Sequence, residues 1–209
     1  MQHKKLIICL LIAVSIFNVT ACKGQNTNPE MSVKHALAER HSVRSYSEKA
    51  VSEAAVMEIL WAANGVTRKD GRRTAPSAVN AQDIDLYVCN REGAFKYNAE
   101  AAKLEIVTSE DIRPYLKAQN RFVDTAPLTI LLVTDQTRFG EPRPGNRNMN
   151  FGLIDAGIVS ENISLYCTAI GLGTVCCAPR MQIDEIQKAL GLTDQQIPIL
   201  YHPIGYPAE

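Results

Sequence analysis

The chain has no excess charge of either sign: 22 lysines and arginines balance 22 aspartates and glutamates over 209 residues. That removes the basic footprint of a nucleic-acid-binding protein. There is no Gly-x-Ser-x-Gly elbow, no Walker A loop and no strand-borne Gly-x-Gly-x-x-Gly, so a hydrolase nucleophile, a P-loop and a dinucleotide-binding turn all lack support. No histidine stands at ligand spacing from a cysteine, which leaves no metal site. The single tryptophan, Trp61, lies among Ile59, Leu60 and Ala63 and reads as packing, and His35 and His202 read as structural or exposed. With no catalytic side chain in view, hard chemistry is expected to come from a cofactor. What remains is ordinary, 46% hydrophobic and 21% charged, a composition that favours neither disorder nor a coiled coil.

One long apolar run exists, Leu6–Phe17, after Lys4 and Lys5. It is too short to cross the roughly 30 Å hydrocarbon core as a helix. Charged start, apolar run and small residues read as a secretory signal peptide. Val19-Thr20-Ala21-Cys22 resembles a bacterial lipobox, which implies a signal peptide over 1–21 and lipid on Cys22. A polar tether would fill 22–30 and a single domain 31–209, held on the periplasmic or outer face of the cell envelope. An incidental Cys22 after an ordinary signal, or a short membrane anchor, are the alternatives. Of the other cysteines, Cys89 and Cys167 read as small core residues, and the adjacent Cys176 and Cys177 are poorly placed to bridge.

Helical periodicity appears after Ser32, with Val33, Ala36 and Leu37 on one face, and after the N-cap candidate Ser52, with Val56, Ile59, Leu60 and Ala63. Thr67–Ala81 is a long basic loop, and loops of that kind tend to be functional. Ile84–Cys89 and Leu128–Val133 read as strands, Asp111–Val123 as a helix interrupted near Pro114, and Phe139–Asn148 as a loop. Asn150–Ile170 reads as a long helix with Gly152 and Gly157, Thr174–Cys177 as a short strand, Asp184–Leu190 as a helix stopped by Gly191, and Ile197–Ile204 as a last strand. About four strands and five or six helices make an α+β fold, with helices around one sheet.

Three segments suit an anionic, heterocyclic ligand. Arg40-His41-Ser42-Val43-Arg44 offers two guanidiniums and a hydroxyl to a phosphate, with 40, 42 and 44 on one side if the segment is extended. Pro76-Ser77-Ala78-Val79-Asn80-Ala81-Gln82 offers small residues for close approach and two amides for a ring edge. Gly171–Ala178 offers a floor of small side chains. Each alone also reads as a plain connection.

In this order the three segments resemble the flavin-dependent nitroreductase family, as does the closing Pro203-Ile204-Gly205-Tyr206-Pro207. The resemblance implies a mostly antiparallel sheet flanked by helices, a homodimer, and non-covalent FMN. Arg40, His41, Ser42 and Arg44 would hold its phosphate and ribityl chain. Pro76, Ser77, Ala78, Asn80 and Gln82 would reach across the dimer to the ring, and Val175, Cys176, Cys177 and Ala178 would cover its other face. It implies ping-pong electron transfer between a small-molecule donor and a small organic acceptor such as a nitro compound or quinone. Two departures stand out: Gln82-Asp83-Ile84 replaces a common Gln-Pro-Trp, and the sequence given stops at Glu209, short of a basic C-terminal extension. Arg72 or Arg73 is a candidate substitute for that basic contact. Gly71–Ser77 is closer to the branch that includes azoline-oxidising dehydrogenases. Oxidative turnover, or an envelope flavoprotein without turnover, are the alternative functions.

Overall fold

The computed structural model describes residues 31–208 except 118, 119, 142, 143 and 179. The signal peptide, Cys22 and the tether lie outside the described residues. None of the described helices is long and apolar enough to cross a membrane.

Two helices come first, α1 (Val33–Glu39) and α2 (Glu53–Asn64). Each starts where a serine supplies a cap: Ser32 Oγ accepts from His35 N and Ser52 Oγ from Ala55 N, both at 3.2 Å. Gly65 ends α2 because a Cβ there would sit 2.5 Å from the Trp61 ring. The strands β1 (Ile84–Asn90), β2 (Gly93–Asn98), β3 (Lys103–Thr108), β4 (Leu128–Asp135), β5 (Gly173–Thr174) and β6 (Gln196–Gly205) form one antiparallel sheet in the order β3-β2-β1-β4-β6-β5. The remaining helices are α3 (Arg113–Leu116), α4 (Arg147–Ala169) and α5 (Ile183–Leu190).

Both faces of the sheet are covered. Ile84, Leu86 and Val88 of β1 and Ile130 and Leu132 of β4 pack against α2 and α4. The intervening Tyr87, Cys89, Leu131 and Val133 pack against α3 and α5. Strands buried on two faces read as unbroken apolar runs, which is why β1 and β4 were visible in the sequence. Cys89 and Cys167 are fully buried, and all four cysteines of the described domain are free thiols.

Several expected elements differ. The hairpin β2–β3 was not anticipated: β3 is an exposed edge strand, and its turn, opened by Asn98 Oδ1 accepting from Ala101 N at 3.0 Å, puts an alanine, Ala102, at φ +47 where Gly or Asn is usual. Pro114 stands in the first turn of α3 rather than interrupting a longer helix, and 121–123 form a separate 3₁₀ turn. Helix α4 begins at Arg147, earlier than expected, behind Asn146 in the left-handed region. In α1 the expected core stripe splits: Ala36 is buried, but Val33 and Leu37 are 71% and 56% exposed.

His202 is structural and fully buried. Its Nε2 lies 2.8 Å from Ser160 Oγ on α4 and its Nδ1 3.1 Å from Thr174 Oγ1 on β5. Thr174 donates its hydroxyl to the Pro203 carbonyl, so it accepts from Nδ1–H and Ser160 donates to Nε2. This assigns the neutral Nδ1–H tautomer, and burial pushes the imidazole down to about 3. The unfolded chain takes up a proton below about 6.5 that the folded chain refuses. This contribution is therefore complete above pH 6.5 and lost as pH falls towards 3, about 3 kcal/mol by roughly pH 4.5. The expected result is that His202→Gln removes one proton's worth of slope from the acid limb of stability against pH. Denaturant titrations with parallel limbs for both proteins would contradict it.

Candidate functional site

Arg40–Tyr46 leaves α1 as an extended segment. Val43 N donates to the Thr174 carbonyl at 3.0 Å, Ser42 bridges Thr174 in parallel, and Tyr46 Oη donates to the carbonyls of Val43 (2.8 Å) and Pro203 (3.1 Å). Val43 is buried and packs over Gly173, where a Cβ would come within 2.7 Å of the valine side chain. The first and third sequence segments are therefore neighbours, fixed by a glycine. Arg40, His41, Ser42 and Arg44 are exposed. Among the described residues neither Arg40 nor Arg44 forms an ion pair or a side-chain hydrogen bond, so both guanidiniums are free for an anion. His41 Nδ1 rests on the Glu39 carbonyl at 2.9 Å.

The third segment divides its side chains. Val175 and Cys177 turn into the core beside Tyr201, while Cys176 and Ala178 are exposed. Val175 and Cys177 thus have only backbone to offer a ligand, a consequence of the strand-like alternation of this stretch, whose Cys177 exchanges two 2.9 Å backbone bonds with Tyr201.

The second segment is strained. Val79, Asn80 and Gln82 have φ of +50, +55 and +50. A β-branched residue there costs on the order of 1–3 kcal/mol, which is why such conformations cluster where a chain must present something. The loop is braced from several sides. Ser77 Oγ accepts from Gln82 N at 2.8 Å, both carboxylate oxygens of Asp155 accept from Ala78 N at 3.1 and 2.9 Å, and Arg138 donates to the Gln82 carbonyl at 2.7 Å. Pro76 and Asn80 are exposed, and Asn80 leaves its amide uncommitted. Gln82 does not: Oε1 accepts from Arg73 Nε (3.0 Å) and Nε2 donates to the Gly71 carbonyl (3.1 Å), so its side chain is a brace of its own loop. Arg73 is engaged in the same brace and Arg72 pairs with Asp70 at 2.9 Å.

Sequence reasoning missed the polar floor beneath this loop. Asp85 holds Lys96 at 2.7 Å and Arg138 at 2.8 Å beside a cavity of about 470 Å³ that Arg73 and Tyr97 also line. Burial, then Arg138, pulls the Arg73 guanidinium below its usual range. Asp83 and Asp155 are both buried; Asp83 stands out in the sequence only as a departure from Gln-Pro-Trp, and nothing there links it to Asp155.

The two halves lie well apart along α4, one against its middle and the other at its C-terminal end. Asp155, which grips Ala78, and Ala169, just before β5, are about 14 residues apart, roughly 20 Å at about 1.5 Å per residue. The sheet agrees: Thr174 aligns with Ile204 and Leu128 at one end of β4, and Asp83 accepts from the Thr134 hydroxyl at the other.

One antiparallel sheet covered on both faces thus carries two uncommitted arginines beside β5 and, away from them, a strained loop with an uncommitted amide. The nitroreductase family model matches residues 37–206, and the chain belongs to the nitroreductase family. It is similar to a protein named as a nitroreductase from Methanocaldococcus jannaschii, 28% identical over 86% of this chain and 93% of that one. It is equally similar, at 28%, to one named NADH dehydrogenase/NAD(P)H nitroreductase from Methanothermobacter thermautotrophicus, over 86% of this chain and 80% of that one. A crystal structure of a nitroreductase from Ralstonia eutropha superposes with a TM-score of 0.79 at 32% identity, covering 86% of this chain and 84% of that one. The family is one of oxidoreductases, and the fold expected from the sequence is the fold found.

Proposed function

We propose that this chain is an FMN-dependent oxidoreductase that passes electrons by a ping-pong scheme from a reduced small-molecule donor to a small organic acceptor, nitro or quinone in type. The observation that carries the reading is the pair of free guanidiniums, Arg40 and Arg44, on an exposed extended segment against β5. Two cations without carboxylate partners suit a phosphate dianion. The uncommitted Asn80 amide suits a ring edge that both donates and accepts. A solved Clostridium difficile structure named as an FMN-dependent nitroreductase has the same fold, at 19% identity and a TM-score of 0.60.

Bound flavin would supply the redox chemistry, taking two electrons from the donor and giving them to the acceptor. The chain's part is to hold and orient. Arg40, Arg44 and Ser42 fix the anionic end; the backbone at 175–178, with Cys176 and Ala178, forms one wall; Asn80 meets the ring edge. Because one chain carries these halves well apart along α4, at its middle and at its C-terminal end, a two-fold partner packed antiparallel along α4 would bring them together twice. The free apolar stripe of α4 suits that partner: Leu153 and Ile154 are 47% and 59% exposed and Gly157 has open space around it. A lipid-anchored homodimer in the envelope is the corresponding cellular form, with Cys22 as the anchor.

The expected result is that purified protein, denatured, releases a flavin with the chromatographic mobility of FMN. Release of FAD, or no flavin uptake after reconstitution with FMN, would refute the reading.

A further inference from the structure

We propose that Asp83 and Asp155 share a single proton and, as a pair, act as positioning residues that hold the Ser77–Gln82 loop closed. The functional consequence rests on the flavin reading of that loop; the pair itself does not.

Asp155 is 2% exposed on α4, and its carboxylate is the anchor of Ala78, the first residue of the turn that carries Asn80. Asp83 is fully buried one residue beyond Gln82, and its Oδ2 accepts from Thr134 Oγ1 of β4 at 2.6 Å. Its Oδ1 has no hydrogen-bond donor among the described residues. Thr134 Oγ1, which holds Asp83, packs on Gly152, one turn before Asp155 on α4, so the Asp83 carboxyl faces that of Asp155. Two buried carboxylates meeting without a donor are costly, and one proton between them supplies an O–H···O⁻ bond and satisfies the orphaned oxygen.

No cation relieves the pair. Among the described residues neither carboxyl is in an ion pair. On β1, Asp85 is taken by Lys96 of β2 and Arg138; on β4, Asp135 lies 3.6 Å from the same Arg138. In the loop, Arg73 is held by Gln82 and the Asn64 carbonyl. The α2 side offers the neutral Asn64 amide, bound to the Ile84 carbonyl, and Glu58 is bound to Tyr166. Glu161 of α4 is exposed. Burial first, and then Asp155, pushes Asp83 up to about 7. Protonated, the pair is bonded and Ala78 is held; deprotonated, two like charges meet and the grip on the loop weakens.

The folded chain keeps a proton that the unfolded chain releases above about 3.8. Stability from this pair is therefore complete below that value and falls as pH rises to about 7, by about tenfold in the unfolding equilibrium per pH unit, then levels off. The opposite sign from His202 makes the two separable.

The test compares the full-length protein with Asp83→Asn, whose amide donates to Asp155 and accepts from Thr134 as the protonated acid does. Between about pH 5 and 7 the unfolding constant of the native protein should rise about tenfold per unit relative to Asp83→Asn. The native protein should also show an infrared band of a buried protonated carboxyl at about pH 6 that the variant lacks. Should Asp83→Asn fail to fold, Asp155→Asn serves the same comparison, since it accepts from Ala78 and donates to Asp83. FMN titrations over about pH 5 to 9 should show affinity falling above about pH 7 in the native protein relative to the variant, the phosphate's own titration near pH 6 being common to both. Parallel unfolding curves with no infrared difference would overturn the shared proton. FMN binding with the same pH course in both proteins would overturn the positioning role and leave the flavin reading standing. No FMN binding alongside the unfolding difference would leave the pair standing and overturn the flavin reading.

Discussion

Arg40→Ala combined with Arg44→Ala should weaken FMN binding by roughly two to four orders of magnitude and leave riboflavin binding nearly unchanged. A hydrogen bond to a charged group is worth about 1.5–3 kcal/mol, and about 1.4 kcal/mol is a factor of ten, so each arginine accounts for about tenfold to a hundredfold. Both lie on the same extended segment, on either side of a buried Val43 that keeps their spacing fixed. Among the described residues neither side chain forms an ion pair or a hydrogen bond, and both residues are exposed, so the double variant should fold as the native protein does. The difference between the two ligands isolates the phosphate, because riboflavin lacks it. Rising salt should shrink the loss, since exposed charges are screened within about 10 Å at roughly 0.1 M. Flavin fluorescence titrations decide it: equal losses for FMN and riboflavin would place both arginines away from a phosphate.

What the sequence disclosed follows from where its signals are local. β1 and β4 were legible because both of their faces are buried, and α2 because Ser52 caps it and Gly65 must yield to Trp61. The hairpin β2–β3 was not, since its edge strand mixes lysine, glutamate and exposed Ile106 in a pattern that only pairing with β2 makes a strand. In the candidate site, the Arg40–Arg44 spacing could be read because an extended segment alternates by itself. Gln82 could not be assigned: an amide suits a ring edge and a brace equally, and only the loop's fold directs it to Arg73 and Gly71. Val175 and Cys177 needed the β6 pairing before their inward direction was visible. Asp83 and Asp155 needed the whole tertiary fold, because nothing near either residue names the other.

On the proposed two-chain site, Ile154→Asp should leave a folded single chain that no longer retains FMN. On α4 the exposed positions Asn150, Leu153, Ile154, Gly157 and Glu161 recur at helical spacing and form one stripe, while Gly152 faces inward, where a Cβ would meet Thr134. The stripe is flanked by exposed apolar side chains of the helices packed on α4: Val33 and Leu37 of α1, and Trp61 of α2, 48% exposed. Contiguous apolar surface of this kind marks an interface, and glycine at its centre lets two helices approach closely. A two-fold axis there would meet Ile154 twice, so one substitution buries two unpaired carboxylates, a penalty of several kcal/mol per charge that no nearby described cation offsets. Since Ile154 is exposed in the single chain, its replacement leaves the internal core of α2, α4 and the sheet intact. The loss of FMN follows from the proposed two-chain site: within one chain the Arg40 segment lies by the C-terminal end of α4 and the Asn80 loop against its middle, so the proposed partner is what brings them together. Light scattering with circular dichroism separates the outcomes. A native fold with half the mass and no retained flavin is the expected result, and a full-mass dimer, or a single chain that binds FMN as tightly as before, would show that one chain closes the site by itself.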